Sequence, residues 1–93
     1  ADQTTKIKGM FVRPEQVADL VAQHAEIGKA RVIATREGEM DVMTVQIEAV
    51  GGDAAAFEAS VAETLKLKGT VEIVAPGSLP NDGKVIDDQR SYD

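Results

Sequence analysis

Ninety-three residues with ten basic and 16 acidic side chains, a net charge of −6, leave room for one small domain and work against binding to a phosphate backbone. An apolar content of 43% can build a core, so the chain is globular, whereas 3% aromatics without Trp make no stacking platform for single-stranded nucleic acid. Zero Cys excludes disulfide frameworks, cysteine zinc fingers and thiol nucleophiles, and a single His leaves no His-rich metal site.

The N-terminus, Ala1 to Lys6, is polar, lacks the apolar stretch of a signal peptide and does not begin with Met. It predicts a processed chain or a piece of a longer protein, resident in the cytoplasm. No apolar run approaches the ~20 residues of a membrane span. Lys6 to Val12 predicts a short strand with Gly9 inside it, as at a bulge or a close backbone approach. Pro14 suits a first helical position. Val17, Leu20, Val21 and His24 follow at the spacing of one helical face, with Gly28 as the stop.

Ala30 to Thr35, rich in Val and Ile, predicts a second strand, and Arg36 to Glu39 a polar turn. Met43, Val45, Ile47 and Ala49 then alternate with Thr44, Gln46 and Glu48, a strand with one buried and one wet face. So short a connection predicts an antiparallel hairpin. Gly51-Gly52 breaks the chain and Asp53 is a good N-cap. Phe57, Val61, Thr64 and Leu65 mark a second amphipathic helix, closed by Gly69. Thr70 to Val74 predicts a fourth strand. The order β-α-β-β-α-β predicts a ferredoxin-like α+β lobe, with two helices on one face of a four-stranded antiparallel sheet. Pro76 to Gly83 is crowded with turn residues and predicts a loop. Lys84 to Ile86 predicts a short edge strand, and Asp87 to Asp93 a charged, mobile tail.

Few residues carry chemistry by themselves. Lys84 follows Gly83 in an exposed loop, where a lysine can reach a phosphate or carboxylate as a point charge, although a lone Gly-Lys is most often an ordinary solvated lysine. A nucleotide P-loop is rejected: Gly77 and Gly83 enclose five residues rather than four, and Val85 stands where Ser or Thr would hold magnesium. His24 reads as a packed, hydrogen-bonded residue, with no second His to share a metal. Glu37, Glu39 and Asp41 read as a solvated acidic tip, and Met10, Met40 and Met43 as core or core-edge filler.

Two segments say more together. Asp2-Gln3-Thr4-Thr5-Lys6-Ile7-Lys8-Gly9-Met10-Phe11-Val12 resembles the hinge motif of adenylate-forming enzymes, and Leu79-Pro80-Asn81-Asp82-Gly83-Lys84-Val85 resembles their terminal lysine motif. The run Lys6 to Val12 followed by Pro14-Glu15-Gln16-Val17, with the late Pro76-Gly77-Ser78-Leu79-Pro80, is most similar to the phenylacetate–CoA ligase type. The resemblance spans essentially the entire chain. It implies the C-terminal lobe of an ATP-dependent carboxylate–CoA ligase, with residues 1–5 as hinge segment, 6–74 as α/β core and 75–93 as lysine-bearing loop and tail.

It further implies an N-terminal adenylation domain in the same protein, which would hold most of the contacts to ATP and Mg2+. The substrate would be a carboxylic acid, aromatic in this subfamily, and coenzyme A the co-substrate. By match to the motifs, Lys84 is implied as the catalytic lysine of adenylation, Asp2 as the hinge, and Gly9 as a residue of the coenzyme A channel. No metal ligand is implied in this lobe, and the isolated lobe is not expected to be active. Asp87 and Asp88 stand where the family often has basic residues, so nothing beyond Lys84 is carried over there. The competing reading is a freestanding ACT-like regulatory module that binds a small molecule, which leaves the hinge-like start and the Gly-Lys tail unexplained.

Overall fold

The structure, a computed structural model, describes residues 4–90. Strand β1, Thr5–Ile7, turns straight back into β2, Met10–Val12, with Thr5 opposite Val12 and Ile7 opposite Met10. The expected single strand with a glycine bulge is therefore a hairpin. Lys8 and Gly9 both take positive φ, 51° and 81°, as a two-residue type I′ turn requires. Ile7 and Val12 drop into the main core, while Phe11 stays half exposed between Lys6 and Arg13.

Helix α1, Pro14–Gln23, starts at the expected proline. The Gln16 side chain accepts the Arg13 amide at 2.8 Å, which satisfies an orphan donor of the first turn. The helix ends at His24, not at Gly28, which already lies within strand β3, Ile27–Glu37. His24 hydrogen-bonds Ser60 at 2.7 Å and stands edge-on to Phe57, the packed role expected of it. Strand β4, Met40–Ala49, pairs antiparallel with β3 from Ile27↔Ala49 to Glu37↔Met40. Helix α2, Ala54–Leu65, begins with Asp53 accepting the Ala55 amide at 3.0 Å. It closes at Lys66, φ 61°, rather than at Gly69. Gly69 serves packing instead, because a Cβ there would meet Met43 Cε at 2.6 Å.

Strand β5, Thr70–Val74, and strand β6, Ile86–Asp88, complete a sheet of order β5-β4-β3-β6. The α+β class with both helices on one face holds, but the large sheet is mixed. Its central pair is antiparallel and both outer pairings are parallel. A helical crossover such as α2 carries the chain back to the end where it started, so β5 runs parallel to β4. The short edge strand expected at Lys84 to Ile86 forms two residues later, as β6, on the edge beside β3. The stretch from Asp87 to Arg90, expected to be mobile, is held in place, and the Arg90 side chain is only 3% exposed.

Val32, Ala34, Met43, Val45 and Ile47 face Val17, Leu20, Phe57, Val61 and Leu65 in the core. Met43 fills it as expected, but Met10 and Met40 are exposed. No described helix is long and apolar enough to cross a membrane. Ile47 is fully buried on a central strand. Ile47→Ala should lower the unfolding free energy by about 2–5 kcal/mol, read by urea denaturation, with one cooperative transition retained. A loss below 1 kcal/mol would mean that the site repacks freely.

Candidate functional site

Strand β4 carries two carboxylates on which the loops converge. Near its end lies Glu48, which the pleat turns away from the helices. The sequence pattern places it on a wet face, yet it is 7% exposed. Its Oε1 accepts the Gly77 amide at 3.0 Å and its Oε2 the Leu79 amide at 2.8 Å. Leu79 is buried with it, apart from the main core. On β3, Lys29 and Arg31 point to the same face. Lys29 Nζ donates to Asn81 Oδ1 at 3.0 Å, and Arg31 Nη2 donates to the Pro80 carbonyl at 3.3 Å and to the Asp82 carboxylate. The loop between β5 and β6 is thus laid across the open face of the sheet.

Lys84 sits at the end of that loop. Its amide donates to Asp82 Oδ1 at 3.0 Å, the oxygen that also receives Arg31. The Lys84 side chain is 51% exposed, with Nζ 3.6 Å from Asp87. An exposed pair of this kind is weak, at most about 1 kcal/mol, so the ammonium is available to an incoming anion. Gly83, φ 75°, supplies the left-handed turn that presents it.

The second carboxylate is Asp41, at the start of β4. Its Oδ2 accepts the Lys8 amide at 3.0 Å and Arg90 Nη1 at 2.9 Å, while Oδ1 receives Arg36 Nε at 3.4 Å. Rather than a solvated tip, Asp41 is the post that holds the β1–β2 turn. It also offsets the strain of a lysine in left-handed backbone by satisfying that lysine's amide. Gly9, next in the turn, has open space around its Cβ position, so its backbone angle and not crowding favours glycine. A shallow cleft of about 260 Å³ beside the turn is lined by Lys8, Val42, Met43, Lys68, Gly69 and Thr70.

Of the three residues singled out by motif, Lys84 and Gly9 lie among the described residues and Asp2 lies outside them. The structure does not bring Lys84 and Gly9 together. Their anchors, Glu48 and Asp41, stand seven residues apart on one strand, about 23 Å at the rise of a β-strand. Sequence reasoning missed Glu48, Arg31, Asp41 and Arg90. The one available signal was a charge, Arg31, inside the apolar run Ala30-Arg31-Val32-Ile33. Among the described residues, no three His, Asp or Glu side chains gather as a metal site.

Amide donors hold all three carboxylates below the ordinary carboxylate range. Those donors are Lys8 for Asp41, Gly77 and then Leu79 for Glu48, and Lys84 for Asp82. A carboxylate lowered in the folded state adds stability that is present above its unfolded pKa and lost as pH falls through its folded pKa. The thermal midpoint should therefore be flat near neutrality and fall as pH drops through and below the ordinary carboxylate range. Asp41→Asn and Glu48→Gln should each flatten that acid slope. A midpoint indifferent to acid would contradict these assignments.

Comparison with known proteins fits this frame. The family model described as "AMP-binding enzyme C-terminal domain" matches residues 9–90. A solved domain of phenylacetate-coenzyme A ligase from Bacteroides vulgatus is similar over 99% of this chain and 97% of that one, with TM-score 0.86 and 20% identity. A 2-hydroxyisobutyryl-CoA ligase in complex with 2-HIB-AMP and CoA in the thioesterification state is similar over 96% of this chain, with TM-score 0.82 and 23% identity. The same ligase in a postadenylation state aligns over 91% of this chain, with TM-score 0.73 and 22% identity. This chain covers 22% and 21% of those two ligase chains. No curated protein matches the chain. With the family model covering nearly all the described residues and both motif segments set on one small α+β lobe, the chain belongs to the C-terminal domain family of AMP-binding enzymes.

Proposed function

We propose that this chain is the mobile C-terminal lobe of an ATP-dependent carboxylate–CoA ligase of the phenylacetate–CoA ligase type. The carboxylate attacks the α-phosphate of ATP and releases pyrophosphate. The coenzyme A thiol then attacks the acyl carbon of the adenylate and AMP leaves. The observation that carries this reading is the separation of the Lys84 loop and the Lys8-Gly9 turn along β4. One reaction centre outside the lobe can meet either segment only if the lobe turns. Such a lobe lets one site use different residues in successive steps.

In the adenylating orientation the Lys84 ammonium approaches the carboxylate and the α-phosphate. It stabilises the charge that spreads over both in the transition state. In the second orientation the Gly9 turn lines the passage of the pantetheine arm, and Lys8 and Lys68 place positive charge beside it in an otherwise acidic lobe. ATP and Mg2+ are held mainly by the N-terminal adenylation domain, Asp2 serves as pivot, and the acid is aromatic. The ACT-like module is not favoured, because it accounts for neither the family match nor the opposed segments.

In the intact enzyme, Lys84→Ala should slow acyl-adenylate formation on the order of 100- to 1000-fold, measured by pyrophosphate exchange. Thioester formation from supplied acyl-adenylate should change little. Equal loss in both half-reactions would make Lys84 structural. Asp2→Pro should do the converse, because proline restricts φ at the pivot. Adenylation should survive and thioester production collapse, while Asp2→Ala should have little effect. A proline variant that makes thioester at the parent rate would remove Asp2 from the hinge.

A further inference from the structure

The lysine loop is attached to the sheet through two buried charges. Glu48 and Arg31 are 7% and 6% exposed, and neither lies in the main core. Burying such groups is unfavourable unless they are fully paired, and apolar residues of similar size usually hold a loop as well or better. Arg31 is not even fully paired. Its buried Nε has no hydrogen-bond partner among the described residues. A buried polar group left unmatched is retained for a reason other than stability often enough to ask what the reason is.

The bonding pattern supplies one. Glu48 uses both oxygens on two backbone amides of the loop, Gly77 and Leu79. Arg31 spans the next turn, from the Pro80 carbonyl to the Asp82 carboxylate. Asp82 Oδ1 passes the restraint on to the Lys84 amide. Glu48 therefore pins the loop before Pro80, and Arg31 reaches the Lys84 amide through Asp82, both by charge-assisted hydrogen bonds, which are shorter and stronger than neutral ones. They grip the backbone and leave the ammonium exposed.

Resting on the reading of Lys84 given above, we infer that Glu48 and Arg31 are positioning residues for adenylation, which fix the base of the Lys84 side chain before substrate arrives. Preorganised charge is what makes such a lysine effective, and a misplacement of about 1 Å in a positioned group can lower a rate on the order of 100-fold. A loop held only by Leu79 and its turn residues would present the same ammonium from a wandering base.

The test uses the intact enzyme and both half-reactions. Arg31→Met and Glu48→Gln should each lower the rate of pyrophosphate exchange roughly 10- to 100-fold, with thioester formation from supplied acyl-adenylate within about twofold of the parent. Arg31→Lys keeps the charge but not the fork, and should recover part of the loss. Asp82→Asn keeps an acceptor for the Lys84 amide while weakening the grip of Arg31. It provides the same test should Arg31→Met fail to fold by circular dichroism. The deciding measurement is the double variant: in a Lys84→Ala background, Arg31→Met should lower adenylation no further. A further loss there, or equal loss in both half-reactions, would make the clamp a stability element and overturn the inference. Should Lys84→Ala be crippled while Arg31→Met and Glu48→Gln are not, the clamp alone falls. Should Lys84→Ala leave adenylation intact, the reading of Lys84 falls and the clamp's role with it.

Discussion

The pleat of β4 sends Val45 and Ile47 into the core beneath two helices and Gln46 and Glu48 to the opposite face, and both halves of this lobe depend on that alternation. The apolar half recruits Val17, Leu20, Phe57 and Val61 and so sets where both helices lie. The polar half receives the loop before β6. A slip of one residue in the β3–β4 register would exchange the two faces, taking Glu48 into the core and Ile47 out to the loop. The register is held by ten paired positions along the hairpin, disturbed only between Ile27 and Lys29.

Strand β4 also sets a distance. Its first turn-facing carboxylate, Asp41, holds the Lys8-Gly9 turn, and Glu48 holds the Lys84 loop. Strand β6 runs between these two ends. Val32 donates to the Val85 carbonyl just after Lys84, and Gln89 donates to the Ala34 carbonyl just before Arg90 reaches Asp41. A three-residue strand with a buried Ile86 thus links both motif segments to one rigid sheet edge. In the proposed two-step cycle, reorienting the lobe as a body would exchange one segment for the other without internal rearrangement, the economy expected of hinge motion.

The charged contacts divide by what they restrain. Lys84 with Asp87 is an exposed pair that holds a side chain lightly. Glu48, Arg31 and Asp41 grip backbone amides, carbonyls and turns, and their partners lie far away in sequence. Charge spent on backbone sets geometry, and the charge left at the surface is, in the proposed function, the one that meets substrate. That division lets a loop rich in proline and glycine present one lysine reproducibly.

Periodicity by itself determined the two helices, the central hairpin, the N-cap at Asp53 and most of the core, because burial of alternate or every third to fourth residue is a local property that composition records. The motif resemblance picked out Lys84 and Gly9 for the same reason, since each is a short run of adjacent residues. Partnership across the chain was not legible. Glu48 looked wet because alternation predicts the face and not what later covers it, and Asp41 looked solvated because its partners Lys8 and Arg90 are distant in sequence. The N-terminal hairpin hid behind a lysine that takes left-handed backbone, a conformation that sequence assigns to glycine. The short edge strand after Lys84 was legible to within two residues, but only tertiary structure could decide that it lies beside β3, since edge pairing is settled by which strand arrives with unpaired backbone groups and an apolar residue to bury.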